Sequence, residues 1–177
     1  MKKVIFVIIL FTLISVISDL KLNNVVIPKE SIRFRVIANS DSKEDQALKL
    51  KVKDNLNNEL QNILKKSNSI EESRLLLKNN IIKLKNNINN TIKSNNSNET
   101  YSINYGQNYF PKKEYKGVTY TEGEYESLVV KLGKGEGKNF WCVLFPPLCL
   151  IDENKEKTGN IEYRVLIKDI LDKYFNN

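Results

Sequence analysis

The chain has 177 residues, 41% hydrophobic and 28% charged, and 28 Lys+Arg against 21 Asp+Glu give a net charge of +7. That length and balance fit one domain with a real core, too apolar for a disordered chain and too polar for a multi-span membrane protein. With no histidine and two cysteines, Ser-His-Asp and Cys-His nucleophile pairs, His-ligated zinc and four-thiolate zinc are all excluded.

Lys2 and Lys3 precede a mostly apolar run from Val4 to Ile17, and charge returns at Asp19 and Lys21. A positive start followed by about 14 such residues predicts a secretory signal over residues 1–18, with Val16 and Ser18 at the −3 and −1 positions. At about 1.5 Å per residue the run covers roughly 21 Å, short of a hydrocarbon core near 30 Å. An uncleaved N-terminal anchor is the competing reading. Either one exports residues 19–155 as the main domain, into a compartment where thiols oxidise.

Ser31–Asn39 reads SIRFRVIAN, where Ile32, Phe34, Val36 and Ala38 alternate with Arg33 and Arg35: a strand with one buried face. Ser40 to Asp45 is acidic and rich in capping residues. It opens a helix to about Lys66, carrying Leu48, Val52, Leu56, Leu60 and Ile63 at spacings of three and four. Ser69-Ile70-Glu71-Glu72 is a capping-box pattern for a second long helix, with Leu77, Ile81, Leu84, Ile88 and Ile92 as its stripe. Asn and Ser from 94 to 98 end it in a loop.

From Thr100 the period changes to two. Tyr101, Ile103 and Tyr105 begin a strand closed by Phe110-Pro111. Glu124–Leu132 is a second, and Phe140–Phe145 a third, apolar on both faces and hence expected in the centre of the sheet. Gly133 to Gly137 between the last two predicts a flexible hairpin connection rather than a phosphate cradle, which needs a helix after it. Residues 156–177 contain an amphipathic helix from Ile161 to Phe175, with Val165, Leu166, Ile170, Leu171 and Phe175 at helical spacing, expected to dock on its own sheet, with an anchor face for another protein as the alternative. The order β-α-α-β-β-β-α predicts an α+β fold: a mostly antiparallel sheet covered by two long helices, with a C-terminal helix.

Candidate chemistry is sparse. Asp41, Glu44 and Asp45 cluster at a helix start, where carboxylates complement the helix dipole and free N–H groups. An EF-hand is excluded because its glycine and closing Glu are missing. Cys142 and Cys149, with six residues between them including Pro146-Pro147, leave two readings open: a disulfide across an irregular loop, or two buried reduced thiols. Their spacing does not suit a redox enzyme. The basic balance reads mainly as solvated faces, with peripheral contact to an anionic membrane as its functional alternative. Aromatics and basic residues are not interleaved as a nucleic-acid groove requires, so no nucleic-acid partner is expected.

Two long stretches carry a resemblance. IRFRVIANSDSKEDQALKLKVKD (Ile32–Asp54) and GEYESLVVKLGKGEGKNFWCVLFPPLCL (Gly123–Leu150), in this order and behind an export signal, resemble the stage II sporulation protein R family. The chain departs from the family pattern in Thr121-Glu122, where a Pro is usual, and in Phe140-Trp141, where a Trp pair is usual. The resemblance implies an exported intercellular signal rather than an enzyme, with no cofactor or metal. Its implied site of action is the space between forespore and mother-cell membranes. Its implied partner is a membrane-embedded aspartic protease of the mother cell, which then processes a pro-sigma factor. Arg33, Arg35, Asp41 and Trp141 are the candidate contact residues, with Gln46 and Asp54 in the same motif expected to pack or cap. Two rival readings are an exported hydrolase using Asp41, Asp45 or Glu124, and a cell-surface structural protein anchored by its N-terminus.

Overall fold

Strict alternation makes Ile32–Ile37 the strand on which the fold is built. Ile32, Phe34 and Val36 point to one side, and Arg33 and Arg35 to the other. The computed structural model describes residues 3–12, 25–115, 117–149 and 160–175. In chain order the elements are helix α1 (residues 3–12), β1 (Val25–Val26), β2 (Ile32–Ile37), α2 (Lys43–Leu64), α3 (Ile70–Asn79), α4 (Ile81–Ser94), β3 (Tyr101–Phe110), β4 (Lys113–Tyr115), β5 (Val118–Tyr120), β6 (Gly123–Leu132), β7 (Asn139–Phe145) and α5 (Asn160–Phe175). The fold is α+β.

Four strands pair in the order β3-β6-β2-β7, and a small second sheet has the order β1-β5-β4. Three of these five pairings are antiparallel; β2–β6 and β1–β5 are parallel. One face of the larger sheet packs on the helices. Leu48, Val52, Leu56, Leu60 and Leu64 from α2, Leu77 from α3, and Leu84, Ile88 and Ile92 from α4 meet Phe34, Val36, Leu128, Val130 and Leu144. Each such side chain, fully buried, contributes about 1.5–3 kcal/mol. On the opposite side Val143 joins Ile27, Val118, Tyr120 and Leu148 under Ile167 and Leu171 of α5. The inward face of α5 is therefore set by Ile167 and Leu171, while Val165 is exposed.

Sequence expectations need three corrections here. The second long helix is two helices, because the chain breaks at Asn80, whose backbone N–H and side-chain amide both bond Leu76 O. The apolar stripe nevertheless continues through the break. Strand β7 is an edge strand, not a central one. It is apolar on both faces because each faces a different core: Cys142 and Leu144 the helices, Val143 the α5 side. Gly133–Gly137 is no hairpin, since β2 lies between β6 and β7. The loop crosses the end of β2, with Gly137 N bonded to Ala38 O (3.0 Å) and Glu136 N to Asn39 O (3.1 Å). Gly133 and Gly135 have positive φ, and a Cβ on Gly137 would run into the Ser40 carbonyl.

Helix α2 starts as its sequence indicates: the Ser42 hydroxyl accepts the Asp45 N–H at 3.1 Å. Ser69 caps α3 by accepting the Glu72 N–H (3.1 Å), and Glu72 reaches back to the Asn68 N–H (2.9 Å). The apolar side chains of α1 are exposed, Phe11 at 75%. No described helix is long and apolar enough to cross a membrane. Val16, Ser18 and the 155/156 boundary lie outside the described residues.

A polar clamp ties α3 to the sheet. Glu126 accepts from Tyr105 Oη (2.6 Å) and from Arg74 Nε (2.8 Å). Burial, then the hydrogen bond to Glu126, then that group's charge push the Tyr105 phenol well above its ordinary value. Above about pH 10 the unfolded chain's phenol loses its proton while the folded one keeps it, so this contribution to stability is lost as pH rises. Urea unfolding of wild type and Tyr105→Phe across pH 8–11 (roughly two units about the phenol pKa) should show the steeper decline in wild type. Parallel curves would contradict it.

Candidate functional site: a cationic aromatic cluster on the face away from the main helices

Period-two alternation, continued across paired strands, brings distant residues onto one face. Arg33 and Arg35 stand on β2 opposite Ser127 and Val129 of β6 and opposite Val143 and Trp141 of β7. Tyr125 lies two residues before Ser127 on β6, and Phe110 ends β3. Three of the four sequence-predicted contact residues, Arg33, Arg35 and Trp141, are thereby brought together. Asp41 is not.

Arg33 is 1% exposed. Its side chain is interior, stacked with the guanidinium carbon 3.3 Å from the Tyr125 ring centre and within 6 Å of those of Phe110 and Tyr120. Nη1 donates to Thr121 O at 3.4 Å, and Nε and Nη2 have no acceptor among the described residues. Arg35 lies 5.8 Å from the Phe110 centre and 5.5 Å from that of Trp141. With its amide oriented to satisfy both neighbours, Asn139 donates to Gly137 O (3.2 Å) and accepts from Arg35 Nη2 (2.9 Å). Lys113 of β4 places Nζ 4.9 Å from the Trp141 ring centre. Sequence reasoning missed Lys113, Phe110, Tyr120 and Tyr125 as neighbours of these residues.

Burial works against all three charges: it lowers the pKa of Arg33, whose neighbours Tyr125 and Tyr120 offset part of the effect, and of Arg35. Lys113 is lowered by burial first and by the charge of Arg35 second. The guanidinium groups stay protonated regardless. A buried cation held by ring faces and one long carbonyl contact is poorly compensated, since cation–π contacts are worth about 0.5–2 kcal/mol against several for desolvating an ion. Arg33→Met should therefore leave the unfolding free energy unchanged or raise it by about 1 kcal/mol, measured by urea titration. A loss above about 2 kcal/mol would mean the ring cage more than compensates the charge.

Asp41 and its neighbours do structural work at the other end of β2. Asp41 Oδ1 accepts from Lys138 N (2.7 Å) and Gln46 Nε2 (3.3 Å), and Lys49 Nζ reaches Gln46 Oε1 (2.7 Å) and Lys138 O (3.3 Å). Asp45 Oδ2 accepts from Ser40 Oγ (2.6 Å) and Asn39 Nδ2 (3.1 Å). These bonds fasten the crossing loop to the start of α2. Asp54 is exposed and paired with Lys53. Glu124 stands at the beginning of β6, whereas Asp41 and Asp45 lie beside the loop that follows its end. About eight residues of strand at roughly 3.3 Å each separate them, far beyond the 5–9.5 Å of a glycosidase pair. Glu124 is thus not placed to act with either aspartate as such a pair. Among the described residues no group of three or more His, Cys, Asp or Glu is placed to hold a metal ion.

Cys142 and Cys149 form a disulfide, with Cα atoms 5.5 Å apart. It borders a cavity of about 190 Å³ between α2, Pro147 and Tyr174.

Comparison with known proteins adds a family. A model described as stage II sporulation protein R matches residues 28–155. A protein named stage II sporulation protein R, from Bacillus subtilis (strain 168), is 41% identical over 128 residues, covering 72% of this chain and 57% of that relative. The chain thus spans a little over half the length of the relative it matches. No solved structure matches.

Proposed function

Because the chain belongs to the stage II sporulation protein R family, we propose that its role in sporulation is that of an exported signalling protein. It is made in the forespore and delivered into the space between the forespore and mother-cell membranes. There it activates a membrane-embedded aspartic protease of the mother cell, which processes a pro-sigma factor. Its output on this reading is contact, with no reaction of its own. The observation that carries the proposal is the family match itself, which takes in β2 through β7 and both faces of the larger sheet. The lysine-led apolar segment that includes α1 supports export.

Activation requires the ligand to bind the protease-competent state of its receptor more tightly than the idle state. The face carrying Arg35 and Trp141, with Arg33 behind it, is the candidate contact surface, and Asp41 orders the loop at its edge. The test is reconstitution: receptor protease and sigma-factor precursor are co-expressed in vegetative cells with and without this protein. Processing only in its presence is expected. Equal processing in both would defeat the proposal.

The exposed apolar side chains of α1 favour a second reading, in which an uncleaved N-terminus holds the domain at the membrane, aided by contact of its net positive charge with anionic lipid. N-terminal sequencing of the exported protein separates the two: a new N-terminus near residue 19 removes the anchor.

A further inference from the structure

Buried donors in folded proteins are almost always paired, so several unpaired ones in one cluster call for an explanation. Arg33 Nε and Nη2, Arg35 Nε and Trp141 Nε1 are all buried with no acceptor among the described residues. They belong to residues gathered around one ring: both guanidinium carbons lie within 6 Å of the Phe110 centre, and the Trp141 ring centre is 5.2 Å from it. Lys113 Nζ adds a third cation over Trp141. Among the described residues none of the three makes an ion pair, and the nearest acid in sequence, Glu114, is bridged to Lys112 at 3.3 Å instead. Three like charges and an indole N–H, all donors, are thus packed together with no negative group among the described residues.

We propose that Arg35, Lys113 and the Trp141 indole N–H, backed by the buried charge of Arg33, form a binding site for a small oxyanion of the phosphate or carboxylate class. A guanidinium edge and an indole N–H offer directed donors to oxygen. The aromatic walls of Phe110 and Trp141 exclude water and strengthen those bonds. Lys113 lies on an exposed three-residue strand, so the site borders solvent on that side. This inference stands independently of the signalling reading.

The chain's single tryptophan makes the test direct. The purified full chain is titrated with inorganic phosphate, with acetate, and with chloride at matched ionic strength, while Trp141 fluorescence and its indole N–H resonance are followed. A saturable change with phosphate or acetate, absent with chloride, is expected, and the better ligand shows whether the site takes a tetrahedral or a planar anion. Lys113→Gln and Arg35→Gln should each weaken binding about tenfold, equivalent to roughly 1.4 kcal/mol. The lysine, on an exposed strand, is the variant least able to disturb the fold. Changes that do not saturate or that chloride reproduces, or an affinity untouched by both substitutions, would overturn the site.

Discussion

Phe110→Ala should lower the unfolding free energy by about 3–5 kcal/mol, the range for removing a fully buried aromatic side chain. Phe110 is wholly buried and packs edge-on against Tyr125 and Trp141, with ring centres 6.2 and 5.2 Å away. It is also the ring shared by both guanidinium groups. Its removal opens a cavity and takes a π face from two cations that burial already disfavours. Water entering that cavity would solvate the arginines and recover part of the loss. Urea unfolding followed by far-ultraviolet circular dichroism measures the balance. A loss below about 1.5 kcal/mol would show that solvation of the arginines recovers most of the lost packing. A double-mutant cycle with Arg33→Met then isolates the coupling between ring and charge.

That contrast bears on why the cluster exists. A chain selected for stability alone would have little use for Arg33, which a nonpolar residue of similar volume could replace at low cost. Natural sequences break local rules of this kind mostly at functional sites. The cluster also lies on the sheet face away from α2, α3 and α4, so its charges do not disturb the principal core. The same strand supplies both: Phe34 and Val36 hold the helices while Arg33 and Arg35 face the aromatic rings.

Much of this architecture was legible in the sequence where local physics decides it. Ser42 and Ser69 cap helices because hydroxyls there satisfy free N–H groups, and the alternation of Ile32–Ile37 assigns its two faces without reference to any partner. Strand order was not legible. A run apolar on both faces ordinarily marks a central strand, but here β7 is an edge between two cores, and nothing local in Phe140–Phe145 distinguishes the cases. The short strands β1, β4 and β5 have two or three residues each, too few for any periodicity to register. Of the cationic cluster, the spacing of Arg33 and Arg35 was readable as a shared face. Lys113, Tyr120 and Tyr125 were not, because they reach the site only through the parallel β2–β6 register and the second sheet.

Reducing the Cys142–Cys149 bridge, or replacing either cysteine with serine, should cost about 2–3 kcal/mol, the chain-entropy value for so short a closed loop. The two residues are seven apart in sequence and both are buried in the principal core. The bridge ties the middle of β7 to the segment that follows Pro146-Pro147, and Phe145 at the strand's end, between the two cysteines, packs edge-on against Tyr174 and Phe175 of α5, with ring centres 5.2 and 6.5 Å away. Loosening the loop therefore loosens the seat of the C-terminal helix as well. Each single variant should lose the full amount, and Cys142→Ser combined with Cys149→Ser should lose little more, because one substitution already opens the loop. Urea titrations with and without dithiothreitol check this: the reductant should lower the midpoint of wild type and leave the double variant unmoved. A wild-type midpoint indifferent to reductant, with two thiols then titrating in the unfolded protein, would show that the bridge contributes no stability.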